Sequence, residues 1–421
     1  MNKHIQNQKE TIRTPELFLL KFLMVFLIFG QRLCIPLVNN YQVPLILFVV
    51  YLVLIILLLL KKLSIDLKKF WLFFVSIDMI FATALVQSDF ALTSLVYLIL
   101  TYFPFSFMLK NSKRKIFFDI LSFYQKLMVI ASLIGILQFL LQFMGLSYKD
   151  WLTEFLSPNI ILKGYNTSYP IEYGSSIYKS NGIFFLEPSY FSQYLAIAIL
   201  IDVFFFKKVG RVLIYLLALI FSFSGTGLLI LAFFGLPVIF IRMKKIKMFF
   251  LILGIIVFTY LISSTPYAQI ILQRLGEFRS FDGNSSAYIR FIYPYETMFN
   301  FWNEDISLFF TGVGIGLSEK LNTLSGDFAT PAKLMVEYGF ITGSIFLVFL
   351  TYCFYSKSQS IMLSNIMFFM YLFLSASLLT PHIVYLCYVL IILIPYKKEI
   401  VLQNYSKNSN LHISMYNFYM Q

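Results

Sequence analysis

Long apolar blocks constrain this chain of 421 residues more than any other feature of its sequence. Val43–Leu60 and Phe184–Phe206 are two such blocks. About 18 or more apolar residues in a row match the ~30 Å hydrocarbon core of a bilayer at the 1.5 Å rise of an α-helix. A helix satisfies its own backbone hydrogen bonds without water, whereas the strands of a membrane barrel show short alternating segments. The blocks therefore predict an all-α polytopic integral membrane protein.

The composition excludes a series of soluble domains. Hydrophobic residues make up 59% of the chain and charged residues 13%, against about 25% charged residues in soluble domains. The net charge of +13 is concentrated in short loops, at Lys61–Lys69, Lys110–Lys115, Lys207–Arg211 and Arg242–Lys247. That distribution is the positive-inside pattern of membrane proteins. We therefore expect no nucleic-acid partner.

The apolar pattern predicts about twelve transmembrane helices, and the basic clusters orient them. A cytoplasmic N-terminus places every basic cluster inside, so both termini are predicted to be cytoplasmic. The first fifteen residues are polar and no small-residue cleavage site follows the first apolar run, so we expect an uncleaved anchor. The predicted helices cover residues 16–38, 43–60, 70–88, 91–109, 117–144, 184–206, 211–224, 226–241, 248–263, 334–355, 361–380 and 382–396.

Residues 1–421 are thus expected to form a single transmembrane domain with two long outward-facing loops. The first loop covers residues 145–183 and the second covers residues 264–333. Loops of such length are usually functional or disordered, and the aromatic residues and prolines of the second argue against disorder. We expect it to be partly helical or re-entrant. Residues 404–421 are predicted to form a loosely ordered cytoplasmic tail.

The second outer loop carries three arginines, Arg274, Arg279 and Arg290. Guanidinium groups bind phosphate and carboxylate through forked, charge-assisted hydrogen bonds. An outward-facing cluster of arginines beside a bilayer therefore suggests a phosphate-bearing lipid or an anionic sugar as ligand. The alternative is that the arginines hold the loop together by pairing with its acidic residues. These are Glu277, Asp282 and Glu296.

Glu187 and Pro188 lie where the first outer loop becomes the sixth predicted helix. Proline suits the first turn of a helix, and a carboxylate beside it is stabilised by the positive end of the helix dipole. Capping of the helix is therefore sufficient to explain why a glutamate occupies position 187. The competing interpretation is a carboxylate held at the membrane surface as a general base or as an acceptor for a sugar hydroxyl.

Two further outer segments are rich in small residues. Phe223–Gly227 lies at the junction of two short predicted helices, where small residues allow a close helix approach or a tight turn. Thr311–Gly316 precedes Pro331–Gly343, and its glycines follow no predicted strand. A nucleotide-binding loop is therefore excluded. We expect this segment to bend against the helices.

Several charged residues lie within predicted helices or directly beside them. Lys333 and Glu337 are four residues apart, so they predict either an intrahelical ion pair or a charged lining for an outer cavity. Charges inside a membrane are costly and are candidates for function. Asp78 and Lys126 predict either an ion pair across the third and fifth helices or a proton or ion path. Asp202 lies near a cytoplasmic helix end where its side chain reaches the surface easily.

The outer motifs, in their order along the chain, resemble the polysaccharide polymerases and ligases of the O-antigen ligase-like superfamily, specifically the Wzy-type polymerases. The matching motifs lie between Ser180 and Gly343 and read GIFFLEPSYFSQYLA, FSGTG, RLGEF with SAYIRF, GVGIG and KLMVEYGFITG. The resemblance implies polymerisation of repeat units at the outer face of the bacterial inner membrane, without a cofactor or metal. It implies undecaprenyl-diphosphate-linked glycans, membrane lipid and a chain-length regulator protein as partners.

The same resemblance implies roles for individual residues. Arg290 and Arg274 are expected to hold the diphosphate and to stabilise its charge as it leaves. Glu187 is the candidate base for the attacking sugar hydroxyl, and outer tyrosines are expected to supply faces for sugar stacking. Residues with an expected substrate-binding role are Arg279, Tyr190, Ser224, Thr226, Lys333 and Glu337.

Three alternatives remain: a ligase of the same superfamily, a lipid-linked oligosaccharide flippase or other transporter, and a non-enzymatic assembly component of a polysaccharide export complex. Ligases of the superfamily carry a functional histidine shortly before the segment that matches KLMVEYGFITG, whereas this chain reads LSGDFATPAK there. A ligase is therefore less expected than a polymerase. A lipid-linked oligosaccharide flippase would also have about twelve helices, but it would be expected to place its charged residues along a central cavity.

Overall fold

The computed structural model describes residues 14–37, 42–87, 89–110, 112–172, 174–237, 286–318, 328–374 and 377–396. This part of the chain is mostly helical, as the apolar blocks predict. Its helices are α1 (Pro15–Phe29), α2 (Leu45–Leu59), α3 (Leu67–Val86), α4 (Leu92–Tyr102), α5 (Arg114–Leu140), α6 (Trp151–Phe155), α7 (Pro188–Ile201), α8 (Val209–Phe221), α9 (Gly225–Ile230), α10 (Ser286–Phe291), α11 (Tyr293–Glu304), α12 (Ile306–Thr311), α13 (Thr330–Tyr355), α14 (Ile361–Phe369) and α15 (Pro381–Cys387).

Four helices, counted with the tighter or wider turns that continue them, are long and apolar enough to cross a membrane. They are Leu67–Val86, Arg114–Met144, Pro188–Phe206 and Thr330–Tyr355. Six shorter apolar helices of 10–17 residues accompany them, so twelve spans remain a prediction. The predicted helix over 248–263 and the tail over 404–421 lie outside the described residues.

One end of the helix bundle gathers several of the basic loops. Strand β3 (Leu63–Ile65) pairs antiparallel with β4 (Phe107–Leu109), which joins the loop before α3 to the loop before α5. Lys357 reaches Asp66 in the first of these loops, with Nζ 2.8 Å from Oδ2. We call this the basic end, and its position on the cytoplasmic side is a prediction.

The opposite end carries the polar segment 145–172 and is called the loop end. Strand β1 (Cys34–Pro36) pairs with β2 (Gln42–Pro44) there, and Leu33 bridges to Ile161. The loops predicted to face outward therefore contact one another at the loop end. The loops predicted to face inward likewise contact one another at the basic end.

Three charged residues of the predicted helices, Asp78, Lys126 and Asp202, have surroundings that differ from those predicted. The pairing of Asp78 with Lys126 is wrong, because both side chains are exposed on the outside of the bundle and no ion pair joins them in the described residues. Asp202 is fully buried and is paired with Arg211, so its carboxylate is neutralised inside the protein and does not reach the surface.

Candidate functional site

Glu187 is the N-cap residue of α7, and Pro188 occupies the first turn, as the sequence predicts. The carboxylate accepts no hydrogen bond from the α7 backbone, which is described over its whole length. Oε1 accepts the backbone N–H of Asn166 at 3.3 Å, and Oε2 accepts the hydroxyl of Ser189 at 3.1 Å. The acid group therefore faces the first predicted outer loop, where a ligand can approach it.

A buried polar network holds the segment that leads into Glu187. Gln138 of α5 accepts the Ser180 hydroxyl at 2.9 Å and donates to Asn181 Oδ1 at 2.9 Å. The Asn181 amide donates in turn to the carbonyl of Phe185 at 3.1 Å. Ile183 has φ +64, a conformation that a β-branched residue adopts only under constraint. The network supplies that constraint and so fixes the direction of the chain at Glu187.

The FSGTG motif packs directly on the first turns of α7. The Ser192 hydroxyl lies 2.9 Å from Thr226 Oγ1 and 3.1 Å from Ser224 Oγ, and it accepts the N–H of Gly227 at 3.1 Å. A methyl group at Gly227 would overlap the Ser192 carbonyl and lie 2.8 Å from Leu219 Cδ1. The small residues therefore serve a close helix approach, one of the two roles that their pattern predicts.

These contacts bring together four of the predicted residues, Glu187, Tyr190, Ser224 and Thr226, and we call them the α7 cluster. The Tyr190 ring meets that of Tyr165 edge to face, with centroids 6.0 Å apart. Tyr190 and Thr226 keep only 6% and 8% of their surface exposed. Tyr190 and Thr226 therefore serve mainly to pack the cluster and have little surface for contact with a ligand. Glu187 and Ser224 remain partly exposed.

Lys333 and Glu337 form a second group on α13. Lys333 Nζ lies 3.9 Å from Glu337 Oε1, so the predicted pair exists. Glu337 is fully buried and its Oε1 also accepts the hydroxyl of Ser318 at 2.5 Å. The role of Ser318 could not be predicted from the sequence, because a single serine in a loop that contains glycines belongs to no periodic pattern.

The GVGIG segment bends against α13, as its glycines predict. The helix is interrupted at Gly339, which has φ +77, and a methyl group there would overlap the carbonyl of Phe310. Gly312 has φ +72, and a methyl group there would lie 2.5 Å from the Glu337 carbonyl. Gln87 at the end of α3 donates to the same carbonyl at 3.1 Å. The kink therefore holds Glu337 against the segment after α12.

The turn after α14 connects the two groups. Gln193 of α7 donates to the carbonyl of Leu374 at 3.3 Å, and Thr330 of α13 donates to the carbonyl of Tyr371 at 3.0 Å. Both acceptors lie in one widened helical turn, Met370–Leu374. The helices that carry the α7 cluster and the Lys333–Glu337 pair are therefore both hydrogen-bonded to the same element.

Of the three predicted arginines, Arg274 and Arg279 lie outside the described residues. Arg290 lies in α10, and its side chain is likewise outside them. The convergence of Glu187 with the arginines therefore stays a prediction. One of their alternative partners, Glu296, accepts the Tyr288 hydroxyl at 2.5 Å on the exposed side of α11.

A buried ion pair anchors the first predicted outer loop beside the cluster. The Arg32 guanidinium binds Asp150 with two nearly parallel hydrogen bonds of 2.5 and 2.6 Å, and it donates to the carbonyl of Ile183 at 3.3 Å. Burial disfavours the charged form of Asp150, but the hydrogen bonds and charge of Arg32 outweigh it and hold the pKa of Asp150 below its usual value. Sequence reasoning missed this pair; its signal in the sequence is an arginine within the first predicted helix, 16–38, which ends at Phe29 in the structure.

Comparison with protein-family models, with curated proteins and with solved structures found no match to this chain.

Proposed function

We propose that this protein is a membrane glycosyltransferase that polymerises undecaprenyl-diphosphate-linked repeat units into O-antigen or a related surface polysaccharide. In this proposal it works at the outer face of a bacterial inner membrane, with both termini in the cytoplasm. A chain-length regulator protein is the proposed partner. The Wzy-like order of motifs in the sequence motivates the proposal.

One structural observation supports it above the others. Two of the motifs, LEPSYFS and FSGTG, are joined through Ser192, Ser224 and Thr226, although Ser192 and Ser224 are 32 positions apart in the sequence. The partly exposed Glu187 is linked to this contact through Ser189, whose hydroxyl donates to the Glu187 carboxylate and whose carbonyl accepts the Thr226 hydroxyl. Four helices long enough to cross a membrane provide the surroundings that a lipid-linked substrate requires.

The proposed reaction assigns one role to each kind of side chain. A hydroxyl of the acceptor sugar attacks the anomeric carbon of the donor, and its proton passes to the Glu187 carboxylate. The new glycosidic C–O bond forms as the C–O bond to the diphosphate breaks, and the diphosphate leaves with the electron pair. Arg274 and Arg290 would bind the leaving diphosphate and stabilise its growing negative charge.

Deleting the gene and separating the cell's surface polysaccharide on a gel tests this function. A polymerase mutant should show single repeat units where the parent shows a ladder of lengths. A ladder that persists unchanged would refute polymerisation. Loss of both the ladder and the single-unit product would instead favour a flippase.

The arginine roles have their own test. Arg274→Ala and Arg290→Ala should each abolish the ladder in protein that is present in the membrane at the parental amount. Arg242→Ala, in a basic cluster predicted to lie on the other side of the membrane, is the matched control and should keep the ladder. Parental chain lengths in both outer-loop variants would remove these arginines from the mechanism.

A further inference from the structure

A groove of about 1130 Å³ runs between α2 and α4 at the loop end of the bundle. On α4, Leu92, Val96 and Leu100 recur every four residues, so they lie on one face of the helix and line the groove. Phe48 lines it from α2, and the Tyr51 hydroxyl of α2 reaches α4 by donating to the Leu100 carbonyl at 2.8 Å. The groove is therefore lined mainly by apolar side chains, and a hydrogen bond joins the two helices that form its walls.

The groove enters the bundle from its loop end. Leu100 follows Leu92 by eight positions, so the groove extends about 12 Å along α4 at a rise of 1.5 Å per residue. The wall residues Leu92 and Val96 expose 60% and 47% of their surface on the outside of the bundle. A long apolar chain can therefore enter from the side, in the outer half of a ~30 Å hydrocarbon core.

The mouth of the groove is polar and rigidly held. The Lys163 backbone N–H donates to Gln42 Oε1 at 2.8 Å, and Gln42 Nε2 donates to the Ile161 carbonyl at 3.0 Å. Both Gln42 and Lys163 line the groove, and Lys163 is exposed. A cation at the polar end of an apolar channel complements a lipid that has an anionic head group and a long tail.

The mouth continues directly into the α7 cluster. Tyr165, two residues after Lys163, lines the groove and packs on Tyr190. The next residue, Asn166, donates its backbone N–H to Glu187 at 3.3 Å. A lipid whose tail lies in the groove therefore has its head group beside the candidate base.

We propose that this groove holds the isoprenoid tail of the donor substrate, whose diphosphate adjoins the reacting anomeric carbon, and that Lys163 binds this diphosphate together with the arginines that the proposed function assigns to it. This inference rests on the proposed function. The continuity with Glu187 favours the substrate lipid over a phospholipid of the bulk membrane, since only the former carries a sugar that reacts there.

The test is photolabelling of the full-length protein in nanodiscs with a polyprenyl diphosphate that carries a diazirine in its isoprenoid chain. Label should appear in peptides from α2 and α4, and unlabelled polyprenyl diphosphate should displace it more effectively than phosphatidylglycerol. Equal displacement by phosphatidylglycerol would overturn the proposal.

Filling the groove gives a matched comparison. Val96→Trp should weaken probe binding about tenfold, which corresponds to about 1.4 kcal/mol. Val75→Trp on α3 is the control, because Val75 has the same 47% exposure as Val96 and does not line the groove. Unchanged labelling in Val96→Trp, or an equal loss in both variants, would contradict a tail-binding groove.

A surface variant covers the possibility that Val96→Trp misfolds. Lys163→Glu should weaken the binding of polyprenyl diphosphate but leave the binding of uncharged polyprenol unchanged. Lys149→Glu is the control, since Lys149 is also exposed in this loop, and it should alter the binding of neither compound. Equal binding of the diphosphate by wild type and Lys163→Glu would remove Lys163 from the proposal. These assays measure binding without turnover, so they fail or succeed separately from the polysaccharide ladder.

Discussion

The Glu187 carboxylate accepts the backbone N–H of Asn166, 21 residues earlier in the chain, at 3.3 Å. Of the two roles that the sequence leaves open for Glu187, capping would direct the carboxylate to the first N–H groups of α7. The structure directs it to the loop and to the Ser189 hydroxyl instead.

Glu187→Gln should abolish the polysaccharide ladder and leave the stability of the purified protein nearly unchanged. The amide keeps the shape and an acceptor oxygen but cannot take a proton, and loss of a general base lowers rates by about 10²–10⁴-fold. Gel analysis in cells and Tm in detergent measure the two effects.

Glu172→Gln is the control, since Glu172 is an exposed carboxylate of the same loop. It should keep the ladder. A normal ladder in Glu187→Gln would exclude Glu187 as the base, and a large fall in its Tm would assign the residue a structural role.

Contacts within one helix could be predicted from the sequence, and contacts between distant segments could not. The Pro188 start of α7 and the Lys333–Glu337 pair follow from local rules of spacing. The Arg32–Asp150 pair joins residues 118 positions apart, and only the packing of helices brings them together. The Asp78–Lys126 prediction failed for the same reason, because complementary charge does not determine which way each helix faces.

Gly227→Ala should destabilise the protein and disturb the α7 cluster. Its methyl group would overlap the Ser192 carbonyl and press on Leu219 at 2.8 Å, and such overpacking costs about 1–3 kcal/mol. Gly210→Ala is the matched control, because Gly210 lies in α8 with no neighbour within 4 Å of an added methyl group. Thermal unfolding in detergent should show a lower Tm for the first variant only. Equal Tm values would contradict the close helix approach.

Gly339→Ala should disrupt the kink that holds Glu337 against the segment after α12. Gly339 has φ +77 and ψ 169, a backbone conformation open almost only to glycine, so alanine there is strained by about 1–3 kcal/mol. The methyl group would also overlap the Phe310 carbonyl. Gly145→Ala is the control, because Gly145 has φ +83 in the milder left-handed region with no neighbour within 4 Å of an added methyl group. We expect a clearly larger fall in Tm for Gly339→Ala. Equal losses of stability in the two variants would show that neither the backbone conformation of Gly339 nor its contact with Phe310 maintains the kink.

Asp150→Asn should destabilise the protein at neutral pH, because it leaves the Arg32 guanidinium buried without its counter-ion. Removing one partner of a buried ion pair costs about 3–5 kcal/mol, and we expect the lower part of this range since the Asp150 side chain keeps 15% exposure. Glu154→Gln, at an exposed carboxylate four residues away, should change the Tm little.

The same pair predicts how stability depends on pH. The pKa of Asp150 is lowered in the folded protein, so its contribution is complete above the unfolded value of about 3.9. It is lost as the pH falls through the folded pKa, where Asp150 takes up a proton and Arg32 stays charged. The Tm difference between wild type and Asp150→Asn should therefore be constant from neutral pH to about 5 and shrink below about 4. A difference that stays constant down to pH values well below 4 would show that the charge of Asp150 does not stabilise the loop, and that the asparagine acts through altered packing.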